Sequence, residues 1–190
     1  MNDEELIWEE ISTEHIVRDE WIDFRRSAYR FPDGTVWQPY YSFTRRDYAV
    51  VVASDEEGRF ICVRQFRQGI RQVTTEFPAG AIEQEDGEDP QAAALRAAQR
   101  ELREETGYVS GQWRPLLTIP SSATISDNIA YLFAAENCRK VTGQDLDAME
   151  LLRVETHTAD EIDTMLAGGR FQQSVHALAW LLSRQTPGKA

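Results

Sequence analysis

The sequence predicts an α/β or α+β sandwich with a small antiparallel β extension at its N-terminus. Three observations carry this expectation. Short strand patterns recur in pairs around turn signals, helical segments with clear start and stop residues fall between them, and residues 1–45 have a different, aromatic-rich texture. We therefore divide the chain into an extension over 1–45 and a main domain over 46–190.

In order, "EWIDFRRSAYRF" and "TVWQPYYSF" flank the turn signal Pro32-Asp33-Gly34 and predict a hairpin. "DYAVVVAS" and "RFICVRQF" follow around "DEEG" as a second hairpin of more buried strands. "TEFPAGAIEQEDGEDP" reads as a loop. Asp89-Pro90 then opens a helix, proline being favoured at the first helical position, and Gly107 is its left-handed stop. "QWRPLLTI", "NIAYLFAA" and "MELLRVET" are three further strands. Thr158 to Glu161, "TADE", is a capping box opening a helix that ends at Gly168-Gly169, and "QQSVHALAWLLSR" is a final amphipathic helix. His176 in it is expected to be a packed or half-exposed helix residue. Cys62 and Cys138 form neither a disulfide framework nor a metal-spaced set and are expected to be small core residues.

A net charge of −12 argues against a nucleic-acid backbone or an anionic membrane as partner. No run approaches 18 apolar residues, and "MNDEELIWEE" has no charged-then-apolar leader pattern, so the chain is expected to be cytoplasmic. The only lysines are Lys140 and Lys189; all other basic residues are arginine, which suits bidentate phosphate recognition.

The chemistry concentrates in "RELREETGY", Arg100 to Tyr108. On a helix Glu101, Glu104 and Glu105 share a face at i, i+3 and i+4, with Leu95, Ala98 and Leu102 as a separate apolar stripe. Like charges there, on the last turn, oppose both one another and the helix dipole. Spacing alone leaves two readings open. One is a solvated face offset by Arg100 and Arg103, and the other is a site for a hard divalent cation.

This stretch resembles the second half of the Nudix box, G-x5-E-x7-R-E-U-x-E-E-x-G-U with U apolar. Arg100, Glu101, Leu102, Glu104, Glu105 and Gly107 match, and Tyr108 fits the last position. "EFPAG" at Glu76 to Gly80 and "VRQFRQG" at Val63 to Gly69 are similar to segments of the ADP-ribose and nucleoside diphosphate sugar diphosphatases of that family. The first half of the box departs from the pattern. Gly80 and Arg100 are 20 apart, where the family has 14. If Glu88 is the box glutamate, two residues are added before it and four after it, close to one helical turn.

The resemblance implies an α/β/α sandwich with a mixed sheet and a metal-dependent hydrolysis of a diphosphate bond. Glu101, Glu105 and the backbone carbonyl of Ala79 would hold Mg²⁺, with Mn²⁺ as an alternative, and Glu104 would share the metal or position water. Arg100 would orient the glutamates. Arg67, with Arg64 on the same phosphate-contacting strand, would bind the diphosphate. The catalytic base is expected outside the box, in "GQDLDAMELLRV", at Asp147 or Glu150. Relatives of this kind exchange N-terminal sheets in a homodimer, and Trp37 or Tyr41 could stack on the nucleotide base there or serve interface packing. Two rival readings stay open: a Nudix hydrolase of triphosphates or dinucleoside polyphosphates, and a sensor that binds a nucleotide sugar without cleaving it. Ala123 and Pro120, in "PSSATISDN", depart from the Ser-Pro-Gly stretch of ADP-ribose relatives, so the sugar is not fixed by the sequence.

Overall fold

The computed structural model describes residues 2–185, so the outer domain limits at 1 and 190 lie outside the described residues. The chain forms two compact units.

One unit takes the described residues up to Arg46 together with Pro120–Ile129. Its three-stranded antiparallel sheet has the order β1 (Glu9–Arg18), β2 (Asp23–Arg30), β3 (Val36–Thr44). The β2–β3 turn forms at the expected residues: Gly34 adopts φ +86°, and the Asp33 carboxylate accepts the Thr35 N–H at 2.8 Å. Strand β1 is an addition to the expected hairpin. Its sequence, "EEISTEHIVR", is exposed along almost its whole length and carries no alternating apolar signal. Trp8 packs on Phe31 and Tyr40, with ring centroids 4.5 and 5.3 Å away. Asp127, from the 120–129 segment, accepts hydrogen bonds from Arg25 at 3.0 Å and Thr44 at 2.7 Å.

The other unit, Asp47–Ile119 and the residues from Ala130, holds a mixed sheet of eight strands. These are β4 (Tyr48–Asp55), β5 (Phe60–Arg67), β6 (Gln72–Glu76), β7 (Ala79–Ala81), β8 (Tyr108–Val109), β9 (Gln112–Pro120), β10 (Ile129–Lys140) and β11 (Leu152–His157). The central path runs β11-β5-β4-β10-β8; β6 pairs with β5, β7 with β4 and β9 with β10. The β4–β10 pair is parallel, and the run Ala49 to Ala53 is buried on both faces, as a covered central strand requires. Val50 and Val52 pack with Ile162 of α2 (Ala159–Ala167) and Trp180 of α3 (Ser174–Ser183). Strand alternation turns Ala49 and Val51 the other way, and α1 (Pro90–Thr106) also packs on β4.

Helix α1 runs between the expected ends. Asp89 caps it by accepting the Ala92 N–H at 2.8 Å, and Gly107 stops it at φ +76°. The capping box of α2 also forms. Two expectations are corrected. "TEFPAGAIEQEDGEDP" is not a loop throughout: it contributes the end of β6 and all of β7, whose three residues pair with Tyr48 to Val50. Its prolines and glycines hide a strand too short to show a period. "MELLRVET" becomes a strand only from Leu152, because a turn in which the Glu150 N–H meets the Asp147 carbonyl at 2.9 Å precedes it.

Cys62 and Cys138 are buried free thiols, and burial pushes the Cys138 thiol up to about 11. His176 is buried, and its Nδ1 accepts the Phe77 N–H at 3.2 Å. Burial lowers its pKa to about 4, against an ordinary 6.5. Between those values the unfolded chain takes up a proton that the folded chain does not. Stability from this group is therefore full above pH 6.5 and lost as pH falls to 4, by about 3 kcal/mol in all. Denaturant titrations of the wild type and of His176→Asn from about pH 7 to about pH 4 should show the steeper loss in the wild type. Equal slopes would contradict this assignment.

Candidate functional site

The glutamate-bearing helix is rich in alanine on its inner side. Ala94, Ala97 and Ala98 are buried, which lets the backbone of α1 approach the sheet closely. Glu101 and Glu105 continue this stripe at helical spacing and are 8% and 2% exposed. Of the two readings that spacing leaves open, the solvated face does not hold for this pair. Glu104 is turned outward, with 38% of its side chain exposed.

Such burial is costly for ionised carboxylates without compensation. Burial raises the pKa of Glu101 to about 7, with Arg100 opposing the shift and Glu104 and Glu150 adding to it. Glu105 is raised well above the ordinary value, first by burial and then by Glu101; the Ala79 N–H, donated to its Oε2 at 3.0 Å, works the other way.

Glu150 completes the group. One carboxylate oxygen each from Glu101, Glu105 and Glu150 lies within 4.8 Å of the others. The loop carrying Glu150 is stitched to the open C-terminal carbonyls of α1: Gln144 Nε2 donates to the Glu105 carbonyl at 2.7 Å, and the Asp145 N–H to that of Glu104 at 2.9 Å. Asp147 is outside the trio, and its backbone N–H donates to the Glu150 carboxylate at 3.1 Å. The buried pair Glu101 and Glu105 beside a strand backbone is an oxygen donor set of the kind a hard dication takes, and Glu150 brings a third, exposed carboxylate up to it.

Arg100 braces this face. It donates to Glu101 at 2.7 Å, Glu104 at 3.1 Å, the Ala81 carbonyl at 2.9 Å and Asp86 at 3.3 Å. Burial opposes its charge, yet Glu101 and Asp86 raise its pKa above the ordinary value. The sequence motif points to Glu88 at this place and passes over Asp86. Asp86 is 6% exposed and beside Arg100, whereas Glu88 is exposed. A signal exists, since Gly80 to Asp86 keeps the G-x5 step of the box with aspartate in place of glutamate. All six additional residues then fall between Asp86 and Arg100. Within that stretch Arg96 donates to the Asp86 carbonyl.

Gly80 is tightly constrained. A Cβ at this position would overlap the Glu101 carboxyl group. Because that group is the end of a flexible side chain, Gly80→Ala should displace Glu101 rather than unfold the chain. The expected result is a melting temperature close to wild type with Mn²⁺ affinity about tenfold weaker or worse, the scale for disturbing a ligand's support. Unchanged affinity, read by calorimetry, would contradict the placement of Glu101.

The remaining candidates separate. Arg67 of β5 pairs with buried Glu76, and Glu105 is among the groups whose charge it feels. Arg64 is an odd number of residues away on the same strand and lines a cleft with Thr75, Met165, Arg170 and Gln172. The structure does not bring it to the glutamates. Trp37 and Tyr41 belong to the unit of the N-terminal sheet and are 57% and 46% exposed, with Tyr41 stacked on Phe24. Among the described residues no helix is long and apolar enough to cross a membrane.

Residues 44–181 match the model of the NUDIX domain. An ADP-ribose pyrophosphatase of Bacillus subtilis (strain 168) is 34% identical over 112 residues, 58% of this chain and 57% of that protein. An ADP-sugar pyrophosphatase of Mus musculus is 37% identical over 107 residues, 51% of this chain and 46% of that protein. The matched stretch thus spans about half the length of these curated relatives. A crystal structure of an ADP compounds hydrolase superposes with a TM-score of 0.78 at 19% identity, covering 93% of this chain and 92% of that one, a likeness of fold. The chain belongs to the Nudix family.

Proposed function

We propose that this chain hydrolyses the diphosphate bond of a nucleoside diphosphate sugar such as ADP-ribose, giving a nucleoside monophosphate and a sugar phosphate. The observation that carries the reading is the pair of carboxylates, Glu101 and Glu105, built into the buried stripe of α1 and joined by Glu150. Buried carboxylates with raised pKa values are an unfavourable way to hold a helix to a sheet, and a divalent cation resolves that conflict. Two relatives, an ADP-ribose pyrophosphatase and an ADP-sugar pyrophosphatase, supply the substrate class.

In this reading Glu101, Glu105 and the Ala79 carbonyl would hold Mg²⁺ or Mn²⁺, which would supply charge neutralisation at the diphosphate and a more acidic water. Arg100 keeps Glu101 and Glu104 in register by charge-assisted hydrogen bonds. Arg67 binds the diphosphate. Glu150, exposed and on a loop, takes the proton of the attacking water, in preference to Asp147. Arg64 is left out of this assignment.

We further assign residues 1–45 to homodimerisation and base contact, with 46–190 as the hydrolase domain. Support comes from exposed apolar side chains on the N-terminal sheet, among them Ile11 and Ile16 on β1, Trp21, and Trp37 and Tyr41 on β3. Light scattering at micromolar concentration should give the mass of two chains; a monomer mass contradicts the assignment. A panel of nucleoside diphosphate sugars and nucleoside triphosphates, compared by kcat/KM with Mg²⁺, tests the substrate class. The sugars should lead. Faster triphosphate hydrolysis would favour the other Nudix activity, and binding without turnover would favour a sensor.

A further inference from the structure

Glu76 closes β6 with its side chain fully buried, and both of its oxygens are occupied. Arg67 Nε donates to Oε1 at 3.0 Å and to Oε2 at 3.1 Å, and Arg67 Nη2 donates to Oε2 at 2.6 Å. Thr74 adds its hydroxyl to Oε1. The pairing is not the one that strand register would supply. Arg67 lies opposite Gln72, and Glu76 lies opposite Val63, so the guanidinium reaches back over the Gln65–Thr74 pair to meet the carboxylate. That reach carries it towards the chain segment where Ala79 meets Glu105, three residues beyond Glu76.

A buried ion pair is a weak device for stability, because apolar residues of similar volume serve as well or better. It is a strong device for orientation, since a carboxylate on the Nε–Nη2 edge fixes a planar guanidinium in two dimensions. The charge balance supports this. Burial opposes ionisation of Glu76, yet its pairing with Arg67 and Thr74 leaves its pKa lowered. The neighbouring His176 is neutral, with Nδ1 engaged by the Phe77 N–H, and so does not compete with Arg67 for the carboxylate. Glu76 takes the Nε–H and one Nη2 hydrogen. The Nη1 group and the second Nη2 hydrogen form the opposite edge, and the Arg67 side chain is 34% exposed. That edge has the spacing to meet two oxygens of one phosphate.

We propose that Glu76 is a positioning residue for diphosphate recognition: it draws the Arg67 guanidinium back along β5 and fixes it with its Nη1–Nη2 edge presented to a phosphate group beside Glu105. The proposal rests on the reading of this site as a diphosphate site. It adds a buried carboxylate that touches no substrate yet sets where the substrate's charge is held.

The test reads binding and turnover separately. Glu76→Gln keeps the shape but offers one acceptor where two are used, so the guanidinium loses its bidentate anchor. Binding of inorganic pyrophosphate with Mg²⁺, measured by calorimetry, should weaken about tenfold, the usual scale for loss of an outer support. KM for ADP-ribose should rise by a similar factor, with kcat within about threefold. Arg67→Lys should do the same, and the double variant should be no worse than either single one, because both remove one interaction. Thr74→Val, which keeps both charges, should give a smaller rise in the same direction and serves if Glu76→Gln fails to fold. A lowered melting temperature with pyrophosphate affinity and KM unchanged would overturn the proposal, as would additive losses in the double variant. If the wild type cleaves no diphosphate sugar, the assigned activity fails, and the pyrophosphate measurement still decides the role of Glu76.

Discussion

Glutamine in place of Glu105 is expected to lower turnover by two to three orders of magnitude or more while the fold survives, and Glu101→Gln to do the same. A cation's stabilisation of developing charge on a diphosphate amounts to several kcal/mol, and each 1.36 kcal/mol is about tenfold in rate. A neutral amide offers a carbonyl oxygen but not the carboxylate's negative charge, and so cannot restore that stabilisation. The stability side has the opposite sign. Glu105 is 2% exposed and its pKa is raised well above the ordinary value, so at neutral pH its charge works against the metal-free fold. In the Glu105→Gln variant the amide oxygen could still accept the Ala79 N–H. Without added metal, Glu105→Gln should therefore melt at or above the wild-type temperature, and the gain in Tm on adding Mn²⁺ should shrink. A structural role alone predicts the reverse: lower Tm with activity retained in proportion to folded protein. Near wild-type turnover in both variants removes the metal-site reading.

The second large effect is expected at Glu150. General-base catalysis contributes on the order of 10²–10⁴ in rate, and the base must reach the attacking water. Glu150 is the candidate because it places an oxygen within 4.8 Å of those of Glu101 and Glu105, whereas Asp147 lies outside that group and donates its backbone N–H to the Glu150 carboxylate. Glu150→Gln should lower kcat by about two orders of magnitude or more with Mn²⁺ affinity changed far less. Asp147→Asn should change kcat by no more than a few-fold. Met149 and Leu151, which flank Glu150, are 94% and 91% exposed, so little apolar packing holds this turn, as suits a segment that adjusts when substrate binds. A strong loss at Asp147 with none at Glu150 would reverse the assignment. Loss at neither would move the base to another residue, Glu104 being the nearest alternative within the helix.

Helix α1 is legible end to end in the sequence, because its cap, its proline and its glycine stop are local signals that no tertiary contact overrides. The β2–β3 and β4–β5 hairpins are legible for the same reason. Burial of the glutamates is not. Periodicity puts Glu101 and Glu105 on one face, but only the alanine stripe at 94, 97 and 98, seen against the sheet, makes that face the inner one. The strand β7 is hidden by its length, and β1 by its exposure. Asp86 is hidden by a motif read for glutamate, although its spacing from Gly80 is intact. Arg64 and Arg67 look alike in "VRQFRQG"; an odd separation on a strand sends them to opposite faces, which only the strand assignment makes firm. Glu76 illustrates the converse case. Its place in "EFPAG" is evident, but its partner lies nine residues back, across a hairpin whose register has to be seen.

At the centre stands hydrolysis of a diphosphate bond by water at the Glu101–Glu105 face, which would hold a dication there. Phosphorus NMR of ADP-ribose incubated with the protein and Mg²⁺ tests it most directly. The paired diphosphate resonances should disappear, and two monoester resonances should grow in equal amounts, one for AMP and one for ribose 5-phosphate. Excess chelator should stop the conversion, and Glu101→Gln should show none on the same timescale. Diphosphate resonances that persist unchanged with active-site residues intact and Mg²⁺ present, or conversion that continues under chelator, would contradict it.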